Sequence, residues 1–161
     1  MDLYDITLET IDGRPTTLAQ FADKALLIVN VASLCKLAPQ YAGLQALHQR
    51  FAARGFSVLG FPCNQFNKEP GTHEEIRSFA TSSHGVTFPL FSKINVNDPD
   101  QHPLFQHLVE LPDTDGEAGA VEWNYEKFIV SPQGRPVTRF RSMVFPEDPQ
   151  LVTSVVTQLP L

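Results

Sequence analysis

Two near-continuous apolar runs constrain this chain more than any other feature. Ala25 to Val31 is broken only by Asn30, and Phe56 to Phe61 only by Ser57 and Gly60. A strand with one face in water alternates polar and apolar residues, so a near-continuous run marks a strand buried on both faces. Between the runs, Pro39 opens a stretch with Leu44, Leu47, His48 and Phe51 at helical spacing, and Gly55 is placed to end it. Strand, helix and strand in that order point to an α/β architecture.

The flanking segments extend the pattern. Tyr4 to Leu8 alternates and Asp12-Gly13 supplies a turn, which predicts a short N-terminal β-hairpin. Thr72-His73-Glu74-Glu75 reads as a capping box opening a helix with Ile76, Phe79 and Ala80, which ends near Gly85. Phe88 to Ile94 is a candidate strand, Pro103 to Leu108 a short helix, and Asp113 to Gly119 a polar surface loop. Lys127 to Val130 and Val137 to Phe140 flank the turn signal Ser131-Pro132-Gln133-Gly134, and Asp148-Pro149 opens a last helix with Leu151, Val152, Val155 and Val156 as its stripe. The order implies a mixed central β-sheet flanked by helices on both faces, with the hairpin at its start. That is the thioredoxin-like arrangement, and 161 residues fit it as one domain, 1–161.

Charge and composition narrow the function. A formal charge of −6 and no run of Lys or Arg disfavour a nucleic-acid partner or an anionic membrane. No apolar run approaches the roughly 20 residues of a membrane span, and Met1 to Asp5 lacks the basic and apolar regions of a secretory signal. Two cysteines supply no disulfide scaffold, so a cytoplasmic location with free thiols is expected unless one is catalytic. His102 and His107 lack the spacing of a zinc pair, and Asp113, Asp115 and Glu117 read as a solvated loop rather than a calcium site. Glu126 and Lys127 read as surface or strand-edge charges.

Cys35 carries the chemistry. It lies a few residues past the first buried strand and ahead of a helix N-terminus, at the end of an α/β sheet where ligands bind. The thiolate is the nucleophile, and moving a thiol from a pKa of about 8.5 to below 7 takes roughly 2 kcal/mol of preferential stabilisation of the anion. One helix terminus supplies part of this, so donors are required. The side-chain amide of Gln65, the indole of Trp123 and the amide of Asn124 donate without titrating. Each has a plainer reading as well: Gln65 capping its own loop, Trp123 as packing, Asn124 ending a turn. Cys63 reads as a small core hydrophobe.

Three ordered segments then acquire a common meaning. Asn30-Val31-Ala32-Ser33-x-Cys35-x-Leu37-x-Pro39-Gln40-Tyr41, Gly60-Phe61-Pro62-Cys63-Asn64-Gln65-Phe66 and Trp123-Asn124-Tyr125-Glu126-Lys127-Phe128 resemble the glutathione peroxidase family, closest to bacterial members that use cysteine in place of selenocysteine. Glu69-Pro70-Gly71, Glu74-Glu75-Ile76 and Phe88-Pro89 add to the likeness, which covers nearly the whole chain. The resemblance implies a thiol peroxidase acting on hydrogen peroxide and organic hydroperoxides, with Cys35 as the peroxidatic nucleophile and Gln65, Trp123 and Asn124 completing the catalytic set. It implies a Cys35 sulfenic acid, a thiol reductant such as glutathione or a thioredoxin, and no metal or organic cofactor.

The chain departs from the family at several positions. Leu34 and Lys36 stand where the family has lysine and glycine, and Ala38 where it has threonine. A requirement for positive φ at position 36 would strain Lys36. Ala80-Thr81-Ser82-Ser83 offers no resolving cysteine, which predicts a one-cysteine cycle reduced by glutathione or another external thiol. The stretch between Leu108 and Glu122 is too compact for the subunit-contact loop of tetrameric relatives, so the resemblance implies a monomer or weak dimer. The alternative reading is a peroxide sensor or a partner-binding thioredoxin-fold module with poor turnover.

Overall fold

The computed structural model describes residues 2–161. Its centre is a four-stranded sheet in which β3 (Ala25–Val31) lies between β4 (Phe56–Pro62) and β5 (Lys127–Val130), with β6 (Pro136–Phe140) outside β5. β3 runs parallel to β4 with Ala25 opposite Phe56 and Val31 opposite Pro62, and antiparallel to β5 with Val29 opposite Lys127. The expected N-terminal hairpin is present as β1 (Thr7–Glu9) and β2 (Pro15–Thr17), turning at Gly13. It begins later than the alternation suggests, because Leu3–Asp5 forms a 3-10 turn capped by Asp2.

The pleat of β3 sorts its side chains into two cores. Ala25, Leu27, Val29 and Val31 pack with Tyr41, Leu44, Leu47 and Phe51 of α1 (Gln40–Phe51), Ile76 of α2 (His73–Ser78), and Leu151 and Val155 of α4 (Pro149–Gln158). Leu26 and Ile28 face the other way, against Leu104, Phe105 and Leu108 of α3 (Pro103–Leu108) and Leu8 of the hairpin. Every residue of β3, β4 and β5 is buried, which is why their sequences run apolar instead of alternating.

Local signals explain most of the boundaries. Gly55 ends the α1 segment at φ +81°, a conformation costly to residues with a Cβ. Thr72 and Glu75 form the reciprocal capping box of α2. Past Ser78 the turns widen into a π segment, Phe79–Ser83, before Gly85 at φ +63° stops the helix. His102 caps α3 by accepting from the Leu104 amide at 3.1 Å, so it serves the helix start rather than a metal.

Phe88 to Ile94 does not form a regular strand. It contributes isolated bridges, Gly60 to Leu90 and Thr10 to Phe91, that cover the outer edge of β4. This close approach requires glycine at position 60: an added Cβ there would come within 2.7 Å of Leu90 Cδ2. Glu126 and Lys127 are also placed differently from expectation. Both are fully buried, Glu126 in an ion pair of 2.9 Å with the equally buried Arg139. Glu126 thus meets a charge inside the protein, whereas Lys127 donates to the Tyr125 and Ser142 carbonyls at 2.6 and 3.3 Å.

Candidate active site

The C-terminal ends of β3 and β4 and the start of β5 meet at one edge of the sheet. Three segments leave or enter the sheet there: Ala32 to Pro39, Cys63 to Glu69, and Glu122 to Glu126. The first turns tightly, with the Ala38 amide donating to the Cys35 carbonyl at 3.0 Å and the Tyr41 amide to Ala38 at 3.0 Å. That turn leads into α1 and lets the Leu37 amide approach Cys35 Sγ at 3.4 Å. Lys36 is absent from the residues with positive φ, so the strain considered for that position does not arise.

Cys35 is 5% exposed and lies at a cavity of about 560 Å³ lined by Lys36, Leu37, Lys68, Trp123, Ser142 and Met143. Apolar surface dominates the lining, and Trp123 and Met143 remain 38% and 71% exposed at the mouth. Trp123 leans on Phe66 with ring centroids 5.4 Å apart. The structure therefore brings Cys35 and Trp123 to the same cavity. Asn124, next to Trp123, is fully buried, and neither atom of its side-chain amide has a hydrogen-bond partner. A buried amide left unpaired costs about 1–3 kcal/mol per group, which native proteins seldom tolerate without use.

The Gln65 side-chain amide is tied to a neighbouring loop. Its Nε2 donates to the Asn97 carbonyl at 2.8 Å, and its Oε1 accepts from the Asn97 amide at 2.9 Å. Asn97 belongs to a different segment, so the amide braces two loops rather than capping its own, and Gln65 is not among the residues lining the Cys35 cavity. From the same loop the cavity receives Lys68, whose carbonyl accepts from the Leu34 amide at 2.9 Å and so ties the loop to the cysteine turn. Beside it, buried Glu69 accepts from the Ser33 amide at 3.0 Å. Burial pushes the Glu69 carboxyl above its ordinary range, against the pull of the Ser33 hydrogen bonds. Sequence reasoning did not select Lys68, because a lysine in a polar loop ordinarily reads as solvated; the signal was its position next to Glu69-Pro70-Gly71.

The two cysteines occupy opposite cores. Cys35 packs in the layer of α1 and α4, whereas Cys63 is fully buried in the layer of α3 and the hairpin. Both are free thiols, and burial pushes the Cys63 thiol up. Below the site, Tyr41 and Tyr125 meet edge to face at 5.8 Å, and the Tyr125 hydroxyl donates to the Ala32 carbonyl at 2.7 Å. Burial raises both phenols, so they stay protonated.

Charges inside the sheet hold the third segment. The Glu126 carboxylate accepts from the Glu122 amide at 2.7 Å and from Arg139 and Arg141, and both arginines also donate to the Ala120 carbonyl at 3.2 Å. Asp113 is more than a solvated loop residue. It accepts from Arg141 at 2.9 Å and from the Asp115 and Glu117 amides, which hold its carboxyl down to about 2. Among the described residues no group of three His, Cys, Asp or Glu side chains is arranged to hold a metal ion. No helix among them is long and apolar enough to cross a membrane.

The buried cysteine, past the end of a central strand, ahead of a helix and beside an aromatic-walled cleft, is set in a thioredoxin-like fold. Residues 3–109 match the family model of glutathione peroxidase. The chain is 48% identical to "Hydroperoxy fatty acid reductase gpx1" of a Synechocystis species, covering 91% of this chain and 90% of that one. It is 44% identical to "Thioredoxin/glutathione peroxidase BtuE" of Escherichia coli, covering 92% of each. A solved apo structure called Trgpx superposes with a TM-score of 0.78 at 33% identity, covering 98% of this chain and 95% of that one. The chain belongs to the glutathione peroxidase family and is a thiol-dependent peroxidase.

Proposed function

We propose that the protein reduces hydrogen peroxide and organic hydroperoxides through a one-cysteine cycle centred on Cys35. The Cys35 thiolate attacks one peroxide oxygen: an S–O bond forms, the O–O bond breaks, and the departing oxygen takes up a proton to leave as water or an alcohol. Sulfur is oxidised to the sulfenic acid as the peroxide is reduced. An external thiol then displaces water to form a mixed disulfide, and a second thiol releases it and restores Cys35.

The observation that carries this reading is the shared cavity of Cys35 and Trp123, walled by apolar side chains and flanked by Lys36 and Lys68. The indole N–H of Trp123 and the unpaired amide of Asn124 are the donors we assign to the thiolate and the departing oxygen. Lys36 and Lys68 supply positive charge that suits a hydroperoxide carrying a carboxylate. A cavity with this lining accepts an acyl chain, consistent with the name of the Synechocystis relative. Gln65 contributes by bracing the loop that presents Lys68.

Separation of Cys35 and Cys63 into opposite cores favours an external reductant over an internal disulfide. Glutathione or a thioredoxin fills that role, and the E. coli relative carries both in its name. No cofactor takes part, and the enzyme acts in the cytoplasm as a monomer or weak dimer. Treatment with one equivalent of peroxide, trapping with a sulfenic-acid reagent and non-reducing mass spectrometry test the cycle. Trapping on Cys35 is expected, and a Cys35–Cys63 disulfide formed at turnover speed would overturn it.

A further inference from the structure

Asn30 is the one polar side chain in β3, and it is fully buried. Its amide is completely engaged with the segment that follows Glu122. Nδ2 donates to the Trp123 carbonyl at 3.1 Å, and Oδ1 accepts from the Glu126 amide at 3.0 Å. The Asn30 carbonyl accepts from the Tyr125 amide at 2.7 Å. Three bonds from one residue thus span Trp123 to Glu126.

The turn they span needs holding. Tyr125 sits at φ +66°, the left-handed region that a bulky side chain avoids unless its surroundings fix it. Asn124 precedes it and makes no side-chain bond of its own. The Tyr125 hydroxyl donates to Ala32, the first residue past β3, so its amide and its hydroxyl are both fastened to the segment that leads into Cys35. Asparagine suits position 30 because it offers a donor and an acceptor on one short branch. Aspartate keeps the acceptor and loses the donor; leucine loses both.

We propose that Asn30 is a positioning residue: by clamping the Trp123–Glu126 turn to the strand that carries Cys35, it holds Trp123 and Asn124 in their working positions although it lies outside the substrate cavity. The proposal rests on the reading of Trp123 and Asn124 as donors at the Cys35 site. It differs from a role in stability alone by acting on the chemistry of Cys35 in molecules that remain folded.

Asn30→Asp is the direct test, with Asn124→Ala in parallel. In Asn30→Asp we expect a fall of about tenfold or more in the second-order rate of Cys35 oxidation by hydrogen peroxide. We also expect a changed emission maximum of Trp123, the single tryptophan, and an alkaline displacement of the pH profile for Cys35 alkylation. Cooperative melting identifies the folded fraction to which rates are normalised. A lower Tm with wild-type rate, emission and alkylation profile would reduce Asn30 to a stabilising residue and overturn the proposal. Slow Asn124→Ala beside a wild-type Asn30→Asp overturns the proposal alone, whereas wild-type rates in both overturn the donor reading beneath it. Hydrogen exchange on the unmodified protein needs no variant to fold. The Tyr125 and Glu126 amides should be protected like that of Val29, and exchange as fast as in Thr114 to Ala118 would sink the clamp.

Discussion

Cys35 and Cys63 have the same side chain, follow adjacent strands and are both shut away from bulk solvent, yet their surroundings differ in kind. Cys35 sits at a cavity with an indole and two lysines on its walls and a backbone amide 3.4 Å from its sulfur. Cys63 is enclosed by the second core, where burial raises its thiol although the Gln65 amide lies 3.5 Å from its sulfur. Neither exposure nor one backbone amide at the sulfur separates the two. What separates them is that Cys35 opens on a cavity walled by an indole and two lysines, where a small molecule can approach it.

The comparison breaks most directly by exchanging the sulfur atoms. Cys35→Ser should lower hydroperoxide consumption about 10³-fold or more, because the serine hydroxyl is not ionised near neutral pH. Cys63→Ala should leave the initial rate within about twofold while costing on the order of 1 kcal/mol of stability through lost packing. Parallel peroxidase assays with chemical denaturation decide the matter. A slow Cys63→Ala enzyme with intact stability would reverse the roles assigned here.

Lys68 sharpens the contrast at smaller amplitude. Lys68→Met removes one of the two cations on the cavity wall and should weaken discrimination in favour of carboxylate-bearing hydroperoxides by roughly two- to fivefold. Competition assays between a fatty-acid hydroperoxide and a neutral alkyl hydroperoxide check this, and unchanged discrimination would remove Lys68 from substrate binding.

The frame of the molecule was legible where one physical cause acts alone. Continuous apolar runs fixed β3 and β4, the capping box fixed α2, and Asp148-Pro149 fixed the start of α4. Legibility failed where polar groups satisfy one another at a distance in sequence. Glu126 and Lys127 look like surface charges because Arg139, and the Ser142 carbonyl that Lys127 approaches, lie beyond the next turn. Nothing local to Gln65 announces that Asn97, 32 residues on, will engage both ends of its amide. Lys68 was overlooked for the converse reason: its place beside Cys35 depends on one backbone bond to Leu34. The cysteine turn itself was visible in sequence, whereas the orientation of its partners was set by the fold.

The smallest effect concerns the buried thiol and is read from the pH dependence of stability. Burial raises the Cys63 pKa in the folded state, while the unfolded thiol titrates near 8.5. Above that pH the unfolded chain has released a proton that the folded chain still holds, so Cys63 contributes a loss of stability as pH rises, by up to about 1.4 kcal/mol per unit. Lys127 acts in the opposite sense. Burial lowers it to about 7, so the unfolded chain holds its proton over a range where the folded chain has given it up, and stability rises with pH. The difference between wild type and Cys63→Ala cancels the lysine and isolates the thiol. It should be flat from pH 6 to about 8 and turn against the wild type beyond. A difference that stays level to pH 10 would mean that Cys63 ionises as freely in the fold as outside it, and the contrast between the two sulfur atoms would lose its electrostatic basis.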